Sequence, residues 1–189
     1  MNTTIVTIFQ SLYLFAIVIV LALLEIQIEG QYPWAEKLPT WRKKLKGISK
    51  DITGYHIYLA TFVLLLFHLP YIFGRNFTIP NELKLLSLII LISVNEDFLW
   101  NIFNPNPKFG TKNFKKNYGH LFNKFFFYIP SDYYFSVILS LLLALVANET
   151  LWWTITFMVF LILTVLLTTI RYLIDLKNER RINQPVDLP

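Results

Sequence analysis

The chain has 189 residues, 55% of them hydrophobic and 15% charged, with a net charge of +5. A soluble domain of this size carries about 25% charge, and the apolar residues here come in long runs, so the composition argues for an integral membrane protein. The absence of cysteine excludes disulfides, thiolate metal sites and a cysteine nucleophile. Basic loops beside apolar runs fit the cytoplasm and anionic lipid better than nucleic acid, which is not expected as a partner.

The first predicted element is an apolar helix from Ile5 to Leu24. It lacks the basic leader and small-residue cleavage site of a signal peptide, so a retained span is expected. A second span runs from Ile52 to Phe73, interrupted by His56, His68 and Pro70, and a third from Leu83 to Phe103. Ser131 to Ala147 is the fourth and shortest, and Leu151 to Ile174 the fifth. Asn148, Glu149 and Thr150 leave room only for an antiparallel hairpin between the last two. Crossing a ~30 Å hydrocarbon layer takes about 20 helical residues. Helices satisfy their own backbone hydrogen bonds there, and the strict alternation of barrel strands is absent. The expected fold is therefore all-α: a polytopic integral membrane protein with five transmembrane helices. Residues 1–176 form the membrane domain and 177–189 a short tail.

Basic residues set the expected orientation. Lys37, Arg42, Lys43, Lys44, Lys46 and Lys50 occupy the loop at 31–51. Lys108, Lys112, Lys115, Lys116 and Lys124 occupy the loop at 104–130, and Arg171, Lys177, Arg180 and Arg181 the C-terminal end. Fifteen of the 17 basic residues thus fall on one side of a five-span chain, leaving Arg75 and Lys84 on the other. That places the N-terminus outside and the C-terminus in the cytoplasm. The aromatics interleaved with lysines in both loops, Trp34 and Trp41 among them, fit interfacial anchoring to lipid head groups. A bundle this thin also leaves room for a homo-oligomer or a membrane-protein partner.

This topology gives each polar residue a depth. Glu25 and Glu29 end the first span on one helical face. His56 lies about one turn into the second span from the same side. Glu96 and Asp97 lie about 10 Å in from Phe103. Asp97, Asn101 and Asn104 form one polar stripe, while Glu96 aligns with Trp100 and Phe103. His120 belongs to the adjoining loop. A carboxylate at mid-membrane costs about 2.5–3.5 kcal/mol on insertion scales, so such groups face a pocket or a partner.

Three uses of this constellation compete. Carboxylates and imidazoles can hold a divalent metal cation, with Glu29, His56, Glu96, Asp97 and His120 as ligands, Glu25 as acid or base, and Asn101 or Asn104 orienting a substrate. The same groups can exchange protons with an apolar lipid without a metal, Trp100 stabilising positive charge. Or they are structural, Glu25, Glu29 and Glu96 pairing with Arg42, Lys43 or Lys44. The chain contains no HExxH, Walker or GxSxG signature. The leading expectation is a small membrane-embedded enzyme acting on a lipid or isoprenoid-type substrate. The rival is a transporter or membrane-complex subunit.

Elsewhere, His68 is expected to bond a carbonyl freed by Pro70, and Gln10 and Ser11 to pack between helices. Tyr55 and Tyr58 are expected to join an aromatic belt. Asn2, Asn76 and Asn148 head N-x-T sequons, taken as coincidental in an Asn-rich chain.

Overall fold

The computed structural model describes residues 2–46, 50–104, 125–126 and 129–182, with the backbone alone at 125–126 and 179–182. Among these residues the chain forms five helices: α1 (Thr3–Glu29), α2 (Gly54–Ile72), α3 (Ile79–Phe103), α4 (Ser131–Val146) and α5 (Thr150–Ile182). Two short antiparallel ladders adjoin them. One pairs β1 (Arg42–Lys43) with β2 (Ile52–Thr53), and the other pairs β3 (Phe125–Phe126) with β4 (Ile129–Pro130).

Four of these helices, α1, α2, α3 and α5, are long and apolar enough to cross a membrane. They point to a multi-pass membrane protein. The fourth expected span is the exception in length. Helix α4 has 16 residues, about 24 Å at the helical rise, against a ~30 Å hydrocarbon core. Helix α5 runs on to Ile182, past the last predicted apolar residue and into the stretch assigned to the tail.

Local chemistry sets the ends. The Asn2 side chain accepts from the Thr4 amide at 3.0 Å and starts α1. Gly30, at φ 66°, stops it in a conformation that a residue with a Cβ resists. Between α4 and α5, Asn148 turns the chain at φ 58°, and the Glu149 amide closes the hairpin on the Ala144 carbonyl at 2.9 Å.

Helix α3 is central and touches the other four. The core is Phe15, Val18 and Ala22 of α1 against Leu88, Leu91, Ile92, Leu99 and Trp100 of α3, with Phe160 of α5 edge-on to Phe15 at 5.4 Å. Small polar residues let the backbones approach. Ser87 and Ser140 each donate to the other's carbonyl, at 2.7 and 2.8 Å, and Trp153 Nε1 donates to Ser140 Oγ at 2.8 Å. Ser11 Oγ meets Thr156 Oγ1 at 3.1 Å, whereas Gln10 is exposed. The outward faces carry large exposed apolar side chains such as Phe9, Leu65, Phe135 and Ile162, as a lipid-facing surface does. Helix α2 is the outlier, because its sole buried residue is Gly54.

Contacts at the ends show that the helices alternate in direction. The C-terminal ends of α1 and α3 meet the N-terminal ends of α2 and α4 through His56–Glu29, Asn104–Gly30 and Tyr133–Asp97. At the opposite end, His68 meets Glu82 and Lys84 meets Glu149. His68 Nδ1 bonds the Leu64 carbonyl at 2.6 Å. The carbonyl released by Pro70 would be that of Leu66, four residues before it. The expected carbonyl bond is therefore present, but to a different carbonyl, and the Glu82 contact at 3.0 Å was not anticipated.

Candidate metal centre at the carboxylate end

Glu25 and Glu29 lie one turn apart on α1, and both are buried. Each offers a carboxylate oxygen, and His56 a ring nitrogen, with these three atoms all within 4.8 Å of one another. Ligands about 2.1 Å from a common metal sit about 3 to 3.5 Å apart. The three groups therefore need to close by at most about 1.3 to 1.8 Å to share an ion. A Glu-Glu-His set of this kind could hold a metal, and an imidazole beside two carboxylates suits Zn, Mn or Fe better than the all-oxygen preference of Ca or Mg.

The imidazole is fixed from three directions. Thr53, the N-cap of α2, accepts from the His56 amide at 3.3 Å and places its Oγ1 2.6 Å from His56 Nδ1. If Nδ1–H donates to that hydroxyl, the Nε2 lone pair is left to face Glu29, whose Oε1 is 3.7 Å away. The Trp34 indole stacks on the ring at 4.6 Å, and Tyr55 approaches edge-on at 5.2 Å.

Trp34 arrives there through an unusual turn. It and Ala35 both have positive φ, 63° and 53°, at a cost of about 1 kcal/mol or more each for residues with a Cβ. The turn aims the Ala35 amide at Glu29 Oε1, 2.5 Å away, with the Trp34 amide beside it. Arg42 closes the turn by donating to the Ala35 carbonyl, and Trp34 Nε1 donates to the Asp51 carbonyl at 2.6 Å. The loop after α1 is thus folded over the site. Trp34 is a wall of it instead of a head-group anchor, while Trp41 stays 49% exposed. Gly54 is required at this join, since a Cβ there would run into the Trp41 indole.

Helix α3 supplies the remaining acids. Glu96 faces Glu25 within hydrogen-bonding reach. Its Oε1 is buried with no hydrogen-bond partner among the described residues, as are Trp100 Nε1 one turn on and the Tyr55 hydroxyl beside Glu25. Asp97 lies near Glu25 and Glu29 and accepts a hydrogen bond from the Tyr133 hydroxyl. The structure therefore brings together five of the sequence-predicted residues: Glu25, Glu29, His56, Glu96 and Asp97.

The other predicted site residues fare differently. Asn101 Nδ2 donates to the Asp97 carbonyl at 2.6 Å, and Asn104 Nδ2 to the Gly30 carbonyl at 2.8 Å, tying the ends of α3 and α1 together. His120 lies outside the described residues. Two residues escaped the sequence reading, Thr53 and Tyr133, and a third, Tyr55, was expected in the aromatic belt instead of at the site. Thr53 could have been found as the capping residue before Gly54. Tyr55 is half-buried against the acids, whereas Tyr58 is 67% exposed as a belt residue is. Tyr133 carried no signal distinguishing it from Tyr134.

The structural pairing expected for the acids is not found. Among the described residues no Lys or Arg forms an ion pair with Glu25, Glu29 or Glu96, and Arg42 is engaged with the Ala35 backbone. The fold and this cluster together describe a helical protein with four helices long and apolar enough to cross a membrane and a carboxylate–histidine cluster at one end. No family model, no curated protein and no solved structure matches the chain.

Proposed function

We propose that the chain is a membrane-embedded enzyme in which Glu25, Glu29 and His56 hold a divalent cation at the cytoplasmic end of the bundle, acting on a lipid or isoprenoid-type substrate. The observation that carries this reading is the convergence of three ligand atoms within 4.8 Å, with no Lys or Arg ion-paired to either carboxylate among the described residues. Buried carboxylates without a Lys or Arg to balance them are expensive to ionise, and a metal cation is the simplest counter-charge this end accepts. A bound cation would supply Lewis acidity toward a phosphoryl oxygen or a water.

The chain's own residues have distinct tasks in this reading. Thr53 orients the imidazole. Trp34 and the turn behind it exclude water from Glu29. Glu25 moves from the acid–base role to the ligand set, and Glu96, with a buried unpartnered oxygen beside Glu25, holds and delivers the proton. Asp97, fixed by Tyr133, adds negative charge that draws the cation in. Basic residues at this end, from Arg42 to Lys50 and toward the end of α5, support its cytoplasmic placement and would attract an anionic head group.

The test is elemental analysis of detergent-purified protein after loading with Mn²⁺ or Zn²⁺, followed by mass spectrometry of vesicle lipids incubated with it. About one ion per chain, lost in Glu29→Gln, and a lipid product formed only by metal-loaded protein are the expected results. A second reading draws on Asn104–Gly30 and Tyr133–Asp97, which join helix ends. Here the polar groups hold the helices of a transporter or complex subunit together. Protein that takes up no metal, yet is destabilised by Glu29→Gln, would decide for it.

A further inference from the structure

Away from the carboxylate end, Arg75 and Lys84 line the same cleft. This cleft lies at the opposite end of the bundle, between α1, the start of α3 and the start of α5, and has a volume of about 300 Å³. Lys84 and Glu96 are separated along α3 by about 18 Å, so the cleft is independent of the metal centre. From this we infer that the cleft is a binding site for the phosphate head group of a phospholipid.

The lining matches an amphipathic ligand. Lys84 Nζ is held in place by Glu149 at 2.9 Å and by the face of the Trp152 ring at 4.5 Å. One carboxylate does not exhaust its three donors, so the ammonium can also donate to a phosphate oxygen. The Arg75 guanidinium is exposed and has no ion pair among the described residues. With Lys84 balanced by Glu149, Arg75 leaves the rim with one uncompensated positive charge, and its planar fork suits phosphate. Gln10 and Asn81 add amides to that rim. Deeper in, Leu14, Leu85 and Leu88 form an apolar wall. It continues onto the exposed apolar face of α1, where Phe9 and Leu12 lie. A free anion would have no use for that wall, and a chain without a head group would have no use for the cations. Tyr13, 70% exposed at the mouth, and Trp152 are the aromatic types that favour head-group depth.

The experiment is calorimetric titration of the full chain in detergent with dihexanoyl phosphatidylglycerol, dihexanoylglycerol and inorganic phosphate. The phospholipid should bind saturably at one site. Arg75→Gln removes an exposed, unpaired side chain, so the variant folds, and it should weaken that binding about tenfold. Dihexanoylglycerol should bind at least as poorly to the unaltered chain, and millimolar phosphate should not displace the lipid. Lys44→Gln, a charge change at the other end, should leave the affinity unchanged. Equal affinity in Arg75→Gln, equal binding of dihexanoylglycerol, or an equal loss in Lys44→Gln would each overturn the site. Displacement by phosphate alone would overturn its assignment to a lipid.

Discussion

The two ends of the bundle treat acidic residues in opposite ways. At one end Glu82 faces His68 and Glu149 faces Lys84, each at about hydrogen-bond distance. At the other, Glu25, Glu29, Glu96 and Asp97 face one another, with the His56 imidazole as their nitrogen neighbour. Basic residues are scarce at the first end and abundant at the second, so supply does not explain the difference. Arg42, Lys43 and Lys44, in the loop that follows α1, are exposed. A pair of opposite charges stabilises a helix contact by itself, whereas gathered like charges raise the energy of the empty site and lower that of the occupied one. The first end holds helices together, and in the proposed reading the second receives a cation.

The largest test of this contrast is metal-linked stability. Ligand at 100 times its dissociation constant stabilises by about 2.7 kcal/mol, or about 5–10 °C for a chain of this length. Mn²⁺ or Zn²⁺ should raise the thermal midpoint of the unaltered protein by that amount, and have no such effect on Glu29→Gln or His56→Gln. A comparable rise in Lys84→Met is also expected, because the opposite end takes no part. Next in size is Thr53→Val, which removes the hydroxyl behind His56 and should weaken metal affinity about 10- to 100-fold in the same titration. Tyr133→Phe should then cost about 1–2 kcal/mol in chemical unfolding, since it strips a donor from a part-buried carboxylate. Smallest is the His68–Glu82 pair. It is a third exposed on the histidine side, and a double-mutant cycle there should give a coupling of about 1 kcal/mol or less that shrinks with added salt. A coupling larger than the metal effect would reverse the proposed division between the ends.

Much of this was legible beforehand, and the rest was missing for a reason. Apolar run length located α1, α2, α3 and α5, and the hairpin before Thr150 followed from a three-residue connection. Depth along each helix then put Glu25, Glu29, His56, Glu96 and Asp97 at one level. Depth does not fix azimuth, however. Nothing in the sequence distinguishes Tyr133, which turns toward Asp97, from exposed Tyr134. The turn at Trp34 and Ala35 was hidden for a different reason: left-handed backbone is signalled by Gly or Asn, and neither residue is one. That turn is held by tertiary contacts with Glu29 and Arg42, which no local pattern encodes. The length of α4 was overestimated by only one residue, so its shortfall against the bilayer was already visible in the sequence.

Among the described residues, helix α2 has only Gly54 buried, and it carries the imidazole. A helix surrounded mainly by acyl chains takes its tilt from the thickness of the layer it crosses. His56 lies in the first turn of α2, where a change of tilt would alter the 3.7 Å between Nε2 and Glu29 Oε1. If the centre holds an ion as proposed, its affinity should respond to bilayer thickness, and reconstitution in shorter- or longer-chain phospholipid would read that response.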